Sequence, residues 1–384
     1  MKPKGGELIK TYKLSLGDRI RQVDPVLFGC TLGLSALSLL TLWGGRDAFG
    51  TRTLIMQLAM TVLGNLLVFF VANMDYQEIV EKFYIAMFLI SVGFLAVVLL
   101  FGESVGENKS WLTLIRFGGT EIGIQPSEFV KATFIVSFSK HLDLVKDRIN
   151  AWKSVVGLAI HAGIIVGLIL ISGDLGVALV YMGIVAVMLY WAGLSPWYFV
   201  GALALLVIAA PFLWEHLETY QQERILCGFN PELDPLGKGR QPILCRSAIA
   251  NGGWFGRGIN GGTIYKTLPV ASSDCFFATY CEKFGLAGAI LMIGLYVVLI
   301  FRVVQIGRSA RKSYGAYICA GVLGMLIVQV VENVGMCLCM LPVIGITLPF
   351  MSAGGSSVLA TYIIFGMVHS VRARRVKYYS ERME

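Results

Sequence analysis

Long apolar runs alternate with short polar segments along most of the chain. Each run approaches the roughly 20 residues that a helix needs to cross a hydrocarbon core of about 30 Å. Backbone amides find no water inside a bilayer, so helices are the simplest structure for these runs. The pattern predicts an all-α polytopic membrane protein of about ten transmembrane helices. The predicted spans are 26–43, 54–74, 83–101, 129–142, 155–171, 175–192, 197–214, 276–301, 316–340 and 348–368.

The composition supports this membrane assignment. Hydrophobic residues make up 56% of the 384 residues and charged residues only 15%, which is too apolar for an ordinary soluble domain. The net charge of +8 could suggest nucleic-acid binding. The Lys and Arg residues instead cluster between apolar runs, as expected for cytoplasmic loops, so no nucleic-acid partner is predicted.

The basic clusters all fall on one side of the predicted bundle, which places both termini in the cytoplasm of a cell membrane protein. Three regions follow: a basic N-terminal segment (1–24), a single membrane domain (25–370) and a basic tail (371–384). The clusters contain Lys2, Lys4, Lys10, Lys13, Arg19 and Arg21; Lys140, Lys146, Arg148 and Lys153; Arg302, Arg308, Arg311 and Lys312; and Arg372, Arg374, Arg375 and Lys377.

The same topology leaves two long segments on the outer side, 102–128 and 215–273. Loops longer than about 15 residues usually carry function or are disordered. The second segment combines aromatic residues with turn-forming clusters such as "NPELDPLGKGRQ" and "NGGWFGRGINGG". This mixture predicts a compact loop folded over the bundle between helices 7 and 8.

Several motifs resemble one family in order and spacing. They are "WLTLIRFGGTEIGIQPSEFVK", "GDLGVALV", "YQQERILCGFNPELDPLGKGRQ", "SAIANGGWFGRGINGGT", "LPVASSDCFFATYCEKFGLAG" and "ENVGMCLCMLPVIGITLPFMSAGGSS". From about residue 24 to residue 369 the chain is similar to the shape, elongation, division and sporulation (SEDS) family, the RodA and FtsW type proteins. The resemblance implies a peptidoglycan glycosyltransferase that polymerises lipid II beside a class B penicillin-binding protein. Its lipid partners would be lipid II and undecaprenyl-pyrophosphate-linked glycan. It also implies an outward-facing catalytic acid, which falls on Asp274.

The chain retains many of the family's polar positions and departs at others. Val270 replaces a glutamate, Arg240 a tyrosine and Lys283 the second acid of a pair, while "SDCFF" and "SAGGSS" replace "TDFIF" and "SYGGSS". The retained residues are Trp111, Gln125, Pro126, Glu128, Lys131, Asp174, Gln241, Ser247, Asn333 and Pro349.

The chemistry of such a transfer requires a base for the attacking sugar hydroxyl and cations for the departing pyrophosphate. Asp274 could be this base, without the second carboxylate of a glycosidase pair. The competing interpretation is a helix cap, because "SSD" before an apolar run is a common helix start. Local sequence alone favours the cap, whereas the resemblance favours the base.

Basic residues of the second outer segment could bind the pyrophosphate, since Arg pairs with phosphate oxygens and Lys acts as a point charge. Acidic neighbours in the same segment make surface ion pairs the simpler interpretation for most of them. No His or Cys spacing demands a metal, and a divalent cation (Mg or Mn) stays an open expectation. The candidates are Arg224, Lys238, Arg240, Arg246, Arg257 and Lys266.

Charged and polar residues inside the spans suggest either internal pairs or a substrate cavity. Glu128 and Lys131 are three residues apart, on one helical face. Asp174 and the Glu332–Asn333 pair could likewise belong either to internal pairs or to a substrate cavity. His161 is predicted to be a packed, hydrogen-bonded residue, and Gly354 and its neighbours to be close-packing positions.

The eight cysteines form no zinc pattern. Cys227 and Cys245 share the second outer segment, where a disulfide is allowed and not required. Two functions besides glycosyl transfer stay open: a flippase for a lipid-linked precursor and an inactive scaffold of a cell-wall synthase. Asp274 lies on the outer face in this topology, and a flippase needs no base on one face alone. The position of this acid therefore favours the glycosyltransferase.

Overall fold

The structure is a computed structural model, and it describes residues 22–105, 108–117 and 120–374. Most of the predicted basic N-terminal segment and most of the tail lie outside the described residues. Thirteen α-helices are numbered in chain order through this part of the chain. They are α1 (Pro25–Gly44), α2 (Arg46–Phe49), α3 (Thr51–Asn73), α4 (Tyr76–Phe101), α5 (Pro126–Val145), α6 (Trp152–Ile171), α7 (Leu175–Trp191), α8 (Pro196–His216), α9 (Thr219–Phe229), α10 (Arg240–Gly252), α11 (Phe276–Arg308), α12 (Ser313–Cys337) and α13 (Gly355–Ala373).

The fold is an all-α bundle of a multi-pass membrane protein. Among the described residues, six helices (α1, α3, α4, α6, α11 and α12) are long and apolar enough to cross a membrane, and α7 contributes a shorter apolar helix, as does most of α8. Their outward faces are apolar: the side chains of Phe70 and Leu100 are 64% and 71% exposed. Exposed apolar side chains on long apolar helices are expected where lipid is the solvent. Helix α12, buried along most of its length, is the centre of the bundle.

The predicted spans overlap the observed helices with ends that differ by up to seven residues, and the last span begins in a segment that is not helical. Helix α13 begins at Gly355, seven residues after the predicted start at residue 348. The intervening segment has a non-helical backbone: the Leu348 amide donates to the Ser352 hydroxyl, and Phe350 has a φ of +64°. Pro349 lacks an amide hydrogen. The apolar pattern was therefore right about burial and wrong about helical structure here.

The first outer segment forms a small antiparallel sheet that the sequence analysis did not predict. Strands β1 (Glu103–Val105), β2 (Asn108–Phe117) and β3 (Thr120–Ile124) pair in the order β1-β2-β3. The alternation of apolar and polar residues in "SWLTLIRF" suits a strand with one covered face. The sheet ends beside Gln125, the residue before α5.

The second outer segment folds as helices α9 and α10 joined by short turns, and one buried carboxylate fastens it to α11. The side chain of Glu282 accepts hydrogen bonds from the amides of Thr263, Ile264 and Tyr265 at 2.7–3.0 Å, and from the Asn251 side chain at 2.7 Å. These contacts bring the loop onto the N-terminal end of α11.

A break in α11 completes this junction. Gly285 has a φ of +65°, which favours glycine, and a Cβ there would lie 2.4 Å from the Gly256 amide nitrogen. The next two amides, of Leu286 and Ala287, donate to carbonyls of the 253–254 turn. The helix therefore changes direction at Gly285. The polar first part of α11 holds the loop, and the apolar part continues into the bundle.

Candidate active site

A polar cavity of about 630 Å³ opens at the end of the bundle that carries the two outer segments. This size is typical of small-molecule sites. Its charged lining residues are Glu128, Asp174, Arg224 and Asp274. The other lining residues include Ser110, Trp111, Gln125, Gln241, Gln329, Gly345, Gly354, Ser356 and Ser357.

Asp274 lies in the turn before α11 and faces this cavity. The N-cap residue of α11 is Cys275, with no side-chain capping bond, so the predicted capping role of Asp274 is wrong. Burial raises the pKa of the Asp274 carboxyl above its ordinary 3.8; the Ser273 hydroxyl and the Arg224 charge oppose this rise, and the Asp174 charge adds to it. The carboxylate is thus enclosed by protein and still open to the cavity.

The backbone that carries Asp274 is held from the segment before α13. The Ala353 amide donates to the Ser272 carbonyl at 2.8 Å. The Ser352 hydroxyl donates to the Ser273 carbonyl at 2.6 Å. Two consecutive carbonyls are therefore fixed by a segment about 80 residues later in the chain, which explains why residues 348–354 do not continue α13 as helix.

A third consecutive carbonyl, that of Asp274 itself, is held from the central helix. The side-chain amide of Asn333 on α12 donates to this carbonyl at 2.8 Å and to the Ile346 carbonyl at 2.7 Å. Gly345 lies on the other side of the carboxylate, where a Cβ would stand 3.1 Å from Asp274 Oδ2. Three elements thus determine the position of one carboxylate.

A second carboxylate, Asp174, occupies the N-terminus of α7. Its Oδ1 accepts from the Val177 amide at 3.0 Å, and its Oδ2 accepts from the Gln125 side chain at 3.1 Å. Burial raises the pKa of Asp174, the charge of Glu128 adds to the rise, and the two hydrogen bonds oppose it. Asp174 therefore serves as a helix cap and joins the sheet end to the cavity wall.

Glu128 and Lys131 form an internal pair, one of the two alternatives that the sequence left open. Lys131 Nζ lies 2.8 Å from Glu128 Oε2, and both side chains are almost fully buried. Glu128 lines the cavity, whereas Lys131 stands behind it. His161 is confirmed as a packed, hydrogen-bonded residue: it is half-buried, and its ring nitrogens lie 3.3 Å from the Ser137 hydroxyl and 3.1 Å from His141 Nδ1.

The remaining predicted binding residues divide into two groups. Gln241 lines the cavity and donates to the Cys275 sulfur at 3.2 Å. The others are not among the cavity's lining residues. Arg246 pairs with Glu232 at 3.1 Å on the surface, and the Ser247 hydroxyl bonds to its own helix backbone.

Lys238 and Lys266 also lie away from the cavity lining. Each ammonium group stands about 6 Å from a tyrosine ring, that of Tyr220 for Lys238 and that of Tyr265 for Lys266. The outer loop thus directs most of its cations to its own surface. Among the described basic residues of that loop, Arg224 is the one that lines the cavity.

Sequence reasoning missed several lining residues: Gln329, Gly345, Ser356 and Ser357. The last two belong to "SAGGSS", which was interpreted as a packing motif. The signal that could have found Ser356 and Ser357 is their place beside two glycines at a helix start.

The disulfide hypothesised between Cys227 and Cys245 is absent, because both residues are free thiols.

The fold and the cavity define a polytopic membrane protein with a polar, acid-lined site at one end of the bundle. The sequence profile of the FtsW/RodA/SpoVE cell cycle protein family matches residues 26–377. The chain therefore belongs to this family, and the SEDS resemblance is confirmed.

Relatives of known name and structure agree with this membership. The chain is 32% identical to the probable peptidoglycan glycosyltransferase FtsW of Hydrogenovibrio crunogenus, over 88% of this chain and 87% of that protein. It is 30% identical to the peptidoglycan glycosyltransferase MrdB of Escherichia coli K12, over 94% and 96%. A solved peptidoglycan synthase complex, studied for the coordination of polymerization and crosslinking, contains a chain with a TM-score of 0.79 and 30% identity, over 92% and 99%.

Proposed function

We propose that this protein is a peptidoglycan glycosyltransferase that polymerises lipid II by inverting transfer from a lipid pyrophosphate, with Asp274 as the general base. The observation that carries the base assignment is the position of Asp274: a carboxylate facing a polar cavity, enclosed enough to raise its pKa, and fixed through three backbone carbonyls. A base works best when its pKa approaches the working pH. The raised pKa therefore suits this role better than an ordinary surface aspartate would.

The proposed step is a direct displacement. The hydroxyl of the acceptor sugar attacks the anomeric carbon of the donor, its proton passes to the Asp274 carboxylate, and the carbon–oxygen bond to the lipid pyrophosphate breaks. One base is enough because the pyrophosphate leaves without needing an acid of its own. Among the described lining residues Arg224 is the cation, and its charge would stabilise the developing negative charge.

The orientation and partners are part of the same proposal. The basic clusters support an orientation with both termini in the cytoplasm. In that orientation the cavity lies on the outer side of the membrane, where lipid II and undecaprenyl-pyrophosphate-linked glycan would meet it. A class B penicillin-binding protein is the proposed protein partner, supported by the similarity to a chain of a peptidoglycan synthase complex.

A divalent cation, Mg²⁺ or Mn²⁺, is not assigned to a protein site. Within the described residues, no group of three or more His, Cys, Asp or Glu side chains is placed to hold a metal ion. Mg²⁺ commonly binds one or two carboxylates together with substrate phosphates. Such an ion would therefore come with the pyrophosphate.

The test is polymerisation of lipid II by the purified protein, alone and with its penicillin-binding protein. Asp274→Asn keeps the shape of the side chain and removes the proton acceptor, so it should fold, bind its partner and form no glycan polymer. Asp47→Asn is the matched control, since Asp47 is exposed on α2, and it should polymerise normally. Full polymerase activity of a well-folded Asp274→Asn protein would remove Asp274 as the base. Translocation of labelled lipid that survives Asp274→Asn, without polymer in the wild type, would instead indicate a flippase.

A further inference from the structure

Two neighbouring aromatic side chains stand out from one glycine-rich turn of the second outer segment. Trp254 is 71% exposed and Phe255 is 85% exposed. Large aromatic side chains bury much apolar area when they find a partner, so an exposed pair of them marks a contact surface. Neither residue is among those that line the polar cavity. The proposed reaction therefore does not explain this pair.

The turn that carries the pair is fixed against α11. Four backbone hydrogen bonds of 2.9–3.0 Å join residues 253–258 to residues 282–287, and one of them runs from the Ala287 amide to the Trp254 carbonyl. Gly256 has a φ of +79°, and a Cβ there would clash with the Lys283 carbonyl, so only glycine allows this close approach. The height of Trp254 along α11 is therefore set by the backbone.

This height is the end of the lipid-facing stripe of α11. The stripe is a row of outward apolar side chains, each 40–62% exposed, which lie three or four residues apart on one helical face: Leu286, Ile290, Ile293, Val297 and Phe301. Residues 286–301 rise by about 24 Å at 1.5 Å per residue, which is most of a hydrocarbon core of about 30 Å. Trp254, beside Ala287, thus lies where hydrocarbon gives way to lipid headgroups.

Helix α1 places the turn at the same boundary. The apolar helix α1 ends at Gly44, and the chain just after the turn packs there, since a Cβ at Gly44 would clash with the Ile259 carbonyl oxygen. Trp43 is exposed at this end of α1, and the Arg46 guanidinium lies 5.5 Å from the centre of its ring. Tryptophan and arginine at the end of a membrane helix are typical of the interface. Two membrane helices therefore agree on the level of the turn.

We propose that Trp254 and Phe255 insert into the interface of the lipid bilayer and anchor the second outer segment to the membrane surface. Lipid is the partner that fits, because the pair continues the lipid-facing stripe of α11, and because the indole ring offers apolar area to acyl chains and an N–H group to headgroups. The same segment carries Arg224 to the polar cavity. The anchor would thus hold the cavity at the level of the headgroups.

The test measures the emission of Trp254 in a bilayer. The full-length protein is placed in lipid nanodiscs that hold one chain each, and the spectrum of Trp254→Phe is subtracted from that of the wild type. This difference should lose most of its intensity in phosphatidylcholine brominated close to the headgroup, and less in lipid brominated at the chain ends. Trp111→Phe is the control: Trp111 lines the polar cavity, so its difference spectrum should change little with either lipid.

A gain of signal checks the neighbouring position. Phe255→Trp should add emission that lipid brominated close to the headgroup quenches in the same way. Quenching of both positions by aqueous iodide alone would place the pair in water and indicate a docking surface for a protein. Equal or stronger quenching by bromine at the chain ends would place the pair too deep, and either result would overturn the proposal. No arm requires turnover, so the outcome is independent of the test of Asp274.

Discussion

The side-chain amide of Asn333 donates a 2.8 Å hydrogen bond to the main-chain carbonyl of Asp274, 59 residues earlier in the chain. Asn333 belongs to the buried central helix, and its side-chain amide donates to two main-chain carbonyls rather than to the carboxylate. It acts as a positioning residue: the central helix determines where the candidate base stands.

Replacing Asn333 by Leu should therefore impair both stability and turnover. The variant leaves the carbonyls of Asp274 and Ile346 without this donor, at a cost of about 1–3 kcal/mol for each buried group left unpaired. It should also lower kcat per folded molecule, with less effect on KM, because the carboxylate is no longer held. Asn65→Leu is the control: Asn65 bonds to the Thr61 carbonyl and the Tyr362 hydroxyl, so it should lose stability and keep kcat. Unchanged kcat in folded Asn333→Leu would contradict the positioning role.

The pH dependence of activity should report the enclosure of Asp274. A base must be deprotonated, so the acid limb of kcat/KM should lie above the ordinary aspartate pKa of 3.8. The Arg224 charge opposes the rise in pKa, so Arg224→Gln should move this limb to still higher pH. Arg311→Gln, at an exposed position in the α11–α12 turn, should leave the limb in place. Profiles of kcat/KM against pH for the wild type and the two variants measure this limb. An acid limb that moves to lower pH in Arg224→Gln would contradict the role of Asp274 as the base.

The raised pKa of Asp274 also predicts how the stability of the fold changes with pH. The folded-state pKa of Asp274 lies above the unfolded value, so its contribution favours folding at low pH and is lost as pH rises through the folded-state pKa. Asp274→Asn should remove this dependence. Thermal unfolding of both proteins across the acid range would measure it, and an identical pH slope in the two would argue that burial does not raise this pKa.

The Glu128–Lys131 pair should show strong coupling. Removing one partner leaves a buried charge unpaired, at a cost of about 3–5 kcal/mol, whereas removing both costs less. Glu128→Gln, Lys131→Met and the double variant form a cycle for unfolding measurements. The exposed Glu78–Lys82 pair, at 2.6 Å, is the control and should show little coupling, since water screens it. Additive losses at Glu128 and Lys131 would count against an internal pair.

All eight cysteines should react as free thiols. Alkylation of the protein unfolded without reductant should therefore label eight sites, and peptide mapping should find no linked peptides. Cys227 and Cys245 are the informative pair, because they share the loop where oxidation was conceivable. A linked Cys227–Cys245 peptide from freshly purified protein would contradict the structure.

The sequence by itself determined the class of fold and the identity of several key residues. Apolar runs of helical length predict membrane helices because lipid leaves a backbone no other way to satisfy its amides. Each of the ten predicted spans overlaps an observed helix, and no end differs by more than seven residues. The pairing of Glu128 with Lys131 was also predictable, because residues three apart lie on one helical face. Asp274 emerged from the family motif rather than from local chemistry, which favoured a cap.

Only the tertiary structure decided what surrounds these residues. The segment before α13 looks like helix by hydropathy, yet its amides and hydroxyls are taken by the turn that carries Asp274. Arg246 and Arg224 share one loop, and packing alone sends the first to the surface and the second to the cavity. Hydrophobic periodicity records local burial, whereas such contacts join residues tens to hundreds of positions apart. Which polar group meets which is therefore set when the helices pack, because each buried donor or acceptor must then find its partner there.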